Sequence, residues 1–348
     1  MEGSSEAFAA QPRQRLRAGR AIRPMIVACC TALAVAWSTA GSGQVALPEV
    51  TSRADASPPS AMPAPVNVAP GVYVFRGLAG EANAQNLGRT ANVSAIIGPR
   101  GVAVIESGVS FRHGEAVIEA LGRITARPIR LLILTHAGQE VVFGAAAFQA
   151  RGIPVLMHRD AAALMAARCD QCLQRLNATL GMRAMVGTRL VKPDVLIDAS
   201  ASIDTIGRTL QLIAPTEGSA PGALAVFDGA SSTLIGGSLV TVDRIPDLRD
   251  SDGDTWPVAL ELLGATQCAH LVPAYGAIGD CTALRALARY FSKLQARAQE
   301  LFATGVGLAD VARRGDLPEF AAWDGYATLH GANAERAFLR VERASFGK

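Results

Sequence analysis

The sequence has few aromatic residues, no basic stripe and no apolar run long enough for a permanent membrane span. Aromatic side chains make up 5% of its 348 residues and are not interleaved with basic ones, which argues against nucleic-acid binding. The apolar run 25–37 is too short to stay as an anchor across a bilayer. No G-x-S-x-G segment occurs, so the nucleophile elbow of many serine hydrolases is also missing.

Charge and composition indicate a neutral globular domain behind a basic N-terminus. The formal net charge is +3, and residues 1–40, with five Arg and two Glu, account for all of it. Half of the residues are apolar, so the chain can bury a large core. Few aromatics together with abundant Ala favour a layered α/β protein whose helices pack closely.

Residues 1–40 are predicted to be an export signal. An Arg-rich stretch ends at Arg23, the apolar run follows, and small residues at 38–40 offer a cleavage site. We expect cleavage and delivery to the periplasm, with no stable membrane span left afterwards; an uncleaved signal anchor is the alternative. Residues 41–66, rich in Ala, Pro and Ser, are predicted to be an extended linker, and residues 67–348 form the folded domain with its C-terminal helices.

From residue 71 onward, short apolar strands alternate with helices, which predicts an α/β fold. The segments 71–75, 91–97 and 101–107 are predicted strands, and the last two form a hairpin about Gly98–Gly101. Helices are predicted at 112–125, 140–150, 159–181, 256–264, 282–303, 308–314 and 326–341. Two strand-rich halves, each backed by helices, predict a four-layer αβ/βα sandwich.

The segment 131–144, LLILTHAGQEVVFG, is the most informative part of the chain, because a strand ends there at Thr135 and His136 before a helix begins. Together with GVYVFRG, NVSAIIGPRGVAVIESG, SAPGAL, LIGGSLV and LVPAYG, it resembles the metallo-β-lactamase fold over residues 70–345. In that superfamily the junction reads T-H-x-H-x-D-H. The order of segments is most similar to the quinoprotein relay system zinc metallohydrolases, exported proteins that accompany pyrroloquinoline-quinone-dependent dehydrogenases.

The resemblance implies a pair of zinc ions, yet His136 alone keeps its family identity among the His ligands. The other metal-site positions carry changed residues: Gly138, Glu140, Val141, Ser219, Ser238 and Tyr275. Glu106 stands where the family has an Asp that orients ligands, and His158 is expected in the same outer shell. Zinc needs three or four N, S or O donors, so we expect no zinc cofactor and no metal-bound hydroxide. A weak single-metal site stays open.

Two functions therefore compete. The first is a non-catalytic or altered member of the fold, whose pocket binds a small molecule or whose surface serves a quinoprotein dehydrogenase system. The alternative is a hydrolase of esters, thioesters or lactams with a site rebuilt around His136. In one form of this site, a single metal ion would be bound by His136, His158, Glu140 and Glu217. In the other, no metal is bound and His136 would activate a hydroxyl of Ser219, Ser238 or Tyr275. The remaining residues His113, His270 and His330 are expected to lie on the surface or in packed positions.

Six cysteines give an independent prediction. Cys29 and Cys30 belong to the export segment, and the other four are Cys169, Cys172, Cys268 and Cys281. An even number in an exported chain favours disulfides, and a bridge between Cys268 and Cys281 would tie down one rim of the site. For the C-x-x-C pair at 169 and 172, inside a predicted helix, structural pairing, free thiols and a redox or metal role all stay open.

Overall fold

Two β-sheets form the centre of the protein. The computed structural model describes residues 62–251 and 253–346. Within them, the first sheet contains seven strands in chain order: β1 (Val66–Ala69), β2 (Val72–Phe75), β3 (Val93–Gly98), β4 (Gly101–Ile105), β5 (Ile129–Leu134), β6 (Val155–His158) and β7 (Val195–Ile197). The second sheet contains β8 (Ala201–Ile203), β9 (Leu210–Ile213), β10 (Ala225–Asp228), β11 (Thr233–Val242) and β12 (His270–Gly276).

Strand direction places several carboxyl ends at one edge. Strands β1 to β4 pair antiparallel, and β4 to β7 pair parallel. In the second sheet β8 to β11 are antiparallel, while β12 runs parallel to β11. Parallel strands end at the same edge of their sheet, and that edge is where α/β proteins place ligands. The ends of β4 and β5 are therefore neighbours, as are the ends of β11 and β12.

Helices cover the outer faces of both sheets. Those in the described residues are α1 (Phe111–Ile124), α2 (Gln139–Val142), α3 (Ala145–Gln149), α4 (Arg159–Leu180), α5 (Met182–Met185), α6 (Trp256–Gly264), α7 (Ala283–Ala303), α8 (Leu308–Arg314) and α9 (Gly331–Phe346). A 3₁₀ turn, Pro318–Phe320, and a π-helical turn, Tyr326–His330, precede α9. Helices α1, α3 and α4 pack on the first sheet, whereas α6, α7 and α9 pack on the second.

The alternation of side chains along β5 explains the layering. Leu132 and Leu134 pack among the helices of the first sheet, while Leu131 and Ile133 pack between the two sheets. Successive side chains of a strand point to opposite faces, so a fully apolar strand is stable only when both faces are covered. The predicted four-layer αβ/βα sandwich is confirmed.

Several boundaries differ from the sequence-based prediction. The single helix predicted at 140–150 is wrong: it is two short helices, because the Gly144 amide donates to the Gly108 carbonyl oxygen at 2.9 Å instead of continuing the helix. The helix predicted at 326–341 is a π-helical turn followed by α9. The predicted linker ends one residue inside β1, at Val66.

Other predictions cannot be compared with the structure. The export signal at 1–40 and most of the linker lie outside the described residues. Within residues 62–251 and 253–346, no helix combines the length and the apolar character that a bilayer span requires.

Candidate functional site

A cleft of about 650 Å³ lies at the edge where β5, β11 and β12 end. The turn after β5 brings His136, Gly138 and Glu140 to it, and β12 brings Tyr275. Ser219, from the loop after β9, and Ser238, from β11, complete this part of the lining. Six of the seven positions matched to the family's metal site therefore lie together.

Glu106 anchors the floor of the site from the end of β4. Its side chain is 2% exposed, and Oε2 accepts a hydrogen bond from the Thr135 amide at 3.3 Å. The Thr135 hydroxyl donates to Glu106 Oε1, and His136 Nδ1 lies 3.4 Å from the same oxygen. Glu106 adopts a φ of 68°, a left-handed conformation that costs a non-glycine residue free energy. The Glu106 carboxylate therefore holds Thr135 and His136, the two residues that follow β5.

His136 has partners at both ring nitrogens. Nδ1 lies 2.9 Å from the Thr135 hydroxyl oxygen, whose proton goes to Glu106, so Nδ1 is assigned as the donor in this contact. Nε2 lies 3.2 Å from the Tyr275 hydroxyl. The imidazole is 6% exposed, and its ring packs edge-on to Tyr275 with centroids 5.9 Å apart. A hydrogen bond therefore uses the nitrogen that faces the cleft.

Tyr275 connects His136 to Glu140. Its hydroxyl oxygen lies 3.1 Å from Glu140 Oε2 and 3.2 Å from His136 Nε2, so with the ring proton on Nδ1 its single proton goes to one of these two acceptors at a time. Gln139 Nε2 donates to Glu140 Oε1 at 2.9 Å. Burial, followed by the carboxylates of Glu140 and Glu106, holds the pKa of Tyr275 well above its usual range. The phenol consequently stays protonated at neutral pH and acts as a hydrogen-bond donor inside the cleft.

Gly138 leaves space for the contact between His136 and Tyr275. A Cβ atom at this position would lie 2.5 Å from His136 Nε2 and 2.8 Å from the Tyr275 hydroxyl. Its φ of −79° and ψ of 135° suit any residue, so the obstacle to a side chain is steric. The His136–Tyr275 hydrogen bond and a side chain at 138 thus exclude each other in this arrangement.

Replacing Gly138 with alanine should lower the free energy of unfolding by about 1–3 kcal/mol, because the methyl group overpacks the partly buried contact between His136 and Tyr275. Gly122→Ala is the matched control. A Cβ there meets nothing within 4 Å, and alanine favours a helix over glycine. Urea denaturation of both variants measures the difference. Equal stability of Gly138→Ala and the wild type would contradict the tight packing of His136 on Tyr275.

Ser219 and Ser238 pair with each other. Their hydroxyl oxygens are 2.7 Å apart, and Ser219 is buried. Gly237, directly before Ser238, has a φ of 54°, and a Cβ on it would lie 2.4 Å from the Thr135 hydroxyl oxygen. Glycine is therefore required for β11 to approach β5 so closely. Neither serine is hydrogen-bonded to His136, so the structure gives no Ser–His pair among the described residues.

Three predicted site residues lie away from the cleft. Val141 is fully buried in the core between the first sheet and its helices, so its side chain does not face the cleft. His158, expected near the cleft, is absent from its described lining because the ring caps α4: Nδ1 accepts from the Asp160 amide at 3.2 Å. Glu217 is exposed and does not line the cleft. The four-residue single-metal site is thus not assembled, and in the described ranges no three His, Cys, Asp or Glu side chains are grouped to hold a metal ion.

Arg244 is a cleft residue that the sequence pattern did not single out. Its guanidinium lies 5.6 Å from the centroid of the Tyr275 ring, and it forms ion pairs with Asp324 and, at 3.5 Å, with Glu81. The one available signal is its place two residues after β11. A cation over an aromatic face is attracted to it, so Arg244 helps to hold the Tyr275 ring in position.

The cysteines divide into a bridge and a thiol pair. Cys268 and Cys281 form a disulfide with Cα atoms 5.8 Å apart, which confirms the predicted bridge. It joins the start of β12 to the start of α7, and neither cysteine lines the cleft, so the expectation that it ties down one rim of the site is wrong. Cys169 and Cys172 are free thiols on α4. Cys169 Sγ lies 3.9 Å from the Ala137 carbonyl oxygen, and Cys172 Sγ lies 3.5 Å from the Arg168 carbonyl oxygen.

Comparison with known proteins supports the fold. The model of the metallo-beta-lactamase superfamily matches residues 87–287. A metallo-beta-lactamase from Pontibacter korlensis has 19% identity and a TM-score of 0.53, over 65% of this chain and 98% of that chain. A metallo beta lactamase from Hirschia baltica has 16% identity and a TM-score of 0.52, over 65% and 96%. A comparison with curated proteins found no match.

The family match spans more than half of the sequence and includes β4, β5, β11 and β12, which carry the site. The chain belongs to the metallo-β-lactamase superfamily. At the identities found, the solved structures support the fold and do not assign a substrate.

Proposed function

We propose that this chain is an exported member of the superfamily that has lost the dinuclear zinc site and no longer acts as a zinc hydrolase. Its cleft would bind a small molecule, and the protein would serve a quinoprotein dehydrogenase system. The observation that carries the proposal is the Tyr275 hydroxyl, 3.2 Å from His136 Nε2 and 3.1 Å from Glu140 Oε2. The atoms of His136 and Glu140 that could bind a metal ion in the cleft are therefore directed at the Tyr275 phenol.

The chemistry of the residues at the metal-ligand positions supports the loss of the zinc site. A zinc ion selects imidazole, thiolate or carboxylate ligands in a tetrahedral shell. Here His136 and Glu140 are the lining residues of that kind at the matched positions, and the others are glycine, serine and tyrosine. The Tyr275 phenol stays protonated, and the two serines hydrogen-bond to each other. The residues present do not fit a pair of zinc ions.

A metal-free hydrolase centred on His136 is the second candidate. It is favoured by the polar contacts that run from Glu106 through Thr135 to His136 and from His136 to Tyr275, since such contacts can orient an imidazole for proton transfer. The absence of a bond between His136 and either serine disfavours a serine nucleophile. The cleft-binding proposal therefore stands ahead of it.

Hydrolysis assays separate the two candidates. We expect the zinc-supplemented protein to hydrolyse ester, thioester and lactam probes no faster than its His136→Ala variant, because no activated water or nucleophile is formed. Turnover that a chelator abolishes and zinc restores would refute the loss of the zinc site. Turnover that withstands the chelator but disappears in His136→Ala would favour the metal-free hydrolase.

The export and partner proposals rest on the sequence resemblance. The Arg-rich and apolar N-terminus supports export and removal of residues 1–40, with residues 41–66 as a linker to the folded domain. A disulfide between Cys268 and Cys281 is compatible with an oxidising compartment. The neighbouring genes test the partner: a quinoprotein dehydrogenase and its cytochrome beside this gene would support the relay role, and an isolated gene would weaken it.

A further inference from the structure

One face of α4 carries a thiol between two arginines at the rim of the cleft. Arg168, Cys172 and Arg175 all line the cleft, and they follow one another at helical spacing. Arg175 Nη2 lies 3.3 Å from Cys172 Sγ, within hydrogen-bond distance for sulfur. Cys172 is partly exposed, so its sulfur is accessible from the cleft.

The two arginines differ in their partners. Arg168 pairs with Asp250, whose carboxylate it contacts directly, so its charge is neutralised there. Arg175 forms no ion pair with an acidic side chain in the described ranges, and the Cys172 sulfur is its hydrogen-bonded partner. The thiolate is the nucleophilic form of cysteine, and the Arg175 guanidinium is placed to donate a hydrogen bond to the Cys172 sulfur. Arg175 also leaves donors free for an anionic ligand.

Cys169 lies beneath Cys172 and is chemically different. It is 1% exposed, and its sulfur lies 3.9 Å from the Ala137 carbonyl oxygen, beside the His136 turn. Burial, followed by the neighbouring Cys172, raises the pKa of Cys169 to about 12. The buried thiol stays protonated at neutral pH, so the two sulfurs of this C-x-x-C pair have separate roles.

We propose that Cys172 is a thiol-exchange site at the rim of the cleft, which takes up small disulfides that carry carboxylate groups. The thiolate of Cys172 attacks one sulfur of a disulfide R–S–S–R, and the S–S bond of that molecule breaks. A mixed disulfide forms between Cys172 and one R–S group, while the other leaves as R–S⁻ and takes up the proton that Cys172 lost. Cys172 is oxidised and the released thiol is reduced.

The carboxylate specificity follows from Arg175. A guanidinium binds a carboxylate through paired N–H donors, which orients a charged disulfide with its sulfur close to Cys172. The mixed disulfide should persist, because its resolution requires the protonated, buried Cys169 to attack Cys172 and displace the second R–S group. The adduct would project into the cleft that His136 and Tyr275 line. This site is independent of whether the cleft once held zinc.

Oxidised glutathione, which carries carboxylates, and bis(2-hydroxyethyl) disulfide, which is neutral, test the proposal on the full-length reduced chain. Peptide mapping by mass spectrometry identifies the modified cysteine and separates Cys172 from the cysteines at 29 and 30. We expect one glutathionyl group on Cys172, absent in Cys172→Ser and retained in Cys169→Ser. Arg175→Gln should slow modification several-fold, and more for glutathione than for the neutral probe. Arg183→Gln, an exposed arginine on α5, is the matched control and should keep the wild-type rate.

Three results would overturn the proposal. The first is modification of Cys169 in preference to Cys172, and the second is an Arg175→Gln variant that reacts with both probes at the wild-type rate. The third is a peptide containing Cys169 and Cys172 that carries no glutathione and is two hydrogens lighter, which would mean that Cys169 completes the exchange. The first and third results are read on the wild-type protein and the second on Arg175→Gln, so none of them depends on the folding of the cysteine variants.

Discussion

Replacing Glu106 with alanine should lower the free energy of unfolding by about 3–5 kcal/mol. Glu106 is 2% exposed and accepts hydrogen bonds from the amide and the hydroxyl of Thr135, beside His136 Nδ1. The truncation removes the acceptor and leaves the Thr135 amide and hydroxyl without a partner in a buried region. Alanine is no better suited than glutamate to a φ of 68°, so the substitution does not relieve the backbone strain at this position.

Two further variants make this prediction specific. Glu106→Gln keeps the size of the side chain and one acceptor oxygen, so it should lose less stability than Glu106→Ala. Glu119→Ala, on the exposed face of α1, should change stability by less than about 0.5 kcal/mol. Urea denaturation curves provide all three values. If Glu106→Ala were as stable as Glu119→Ala, the role of Glu106 as the anchor of the site would be wrong.

Acid should destabilise the folded protein through His113. This residue is 3% exposed on α1, its Nδ1 accepts from the Val109 amide at 3.3 Å, and Nε2 has no hydrogen-bond partner. Burial, followed by the charge of Arg89, lowers the pKa of His113 from 6.5 to about 3. Below pH 6.5 the unfolded chain therefore binds a proton that the folded chain refuses, and stability falls as the pH falls.

The expected size is about 1.4 kcal/mol for each pH unit, or on the order of 5 kcal/mol by pH 3. Burial also lowers the pKa of His330, which acts in the same direction. Unfolding free energies of the wild type and His113→Gln, measured from pH 7 to 4.5, isolate the contribution before most carboxylates titrate. His113→Gln should flatten the dependence, while His270→Gln, at a half-exposed position, should keep it. Equal slopes in the wild type and His113→Gln would contradict the prediction.

Apolar alternation and turn residues were sufficient to predict the layers of this fold. Leu131 to Leu134 and the helix at 256–264 follow patterns that local chemistry determines, and both have the predicted form. Strands β7 and β8 were not predicted, because each has three residues and too short a pattern to be recognised. The break between α2 and α3 depends on a hydrogen bond to the Gly108 carbonyl, which is distant in sequence.

The sequence was sufficient to predict which residues lie together at the site, but not most of the contacts between them. Aligning family segments placed His136, Ser219, Ser238 and Tyr275 in one region because the ends of parallel strands meet. The contact between Tyr275 and His136 requires Gly138 to lack a side chain, and that relation appears only in three dimensions. For the same reason the sequence could not reveal that His158 caps α4 or that Arg244 lies over Tyr275.

Zinc stoichiometry is the most direct test of the central claim, that the Tyr275 contact and the exchanged ligands have removed the family's metal site. Untagged protein is equilibrated with zinc, passed through a gel-filtration column and measured by inductively coupled plasma mass spectrometry, with His136→Ala treated in parallel. We predict the same substoichiometric zinc in both proteins. Stoichiometric zinc in the wild type that a chelator removes and that His136→Ala lacks would contradict the account.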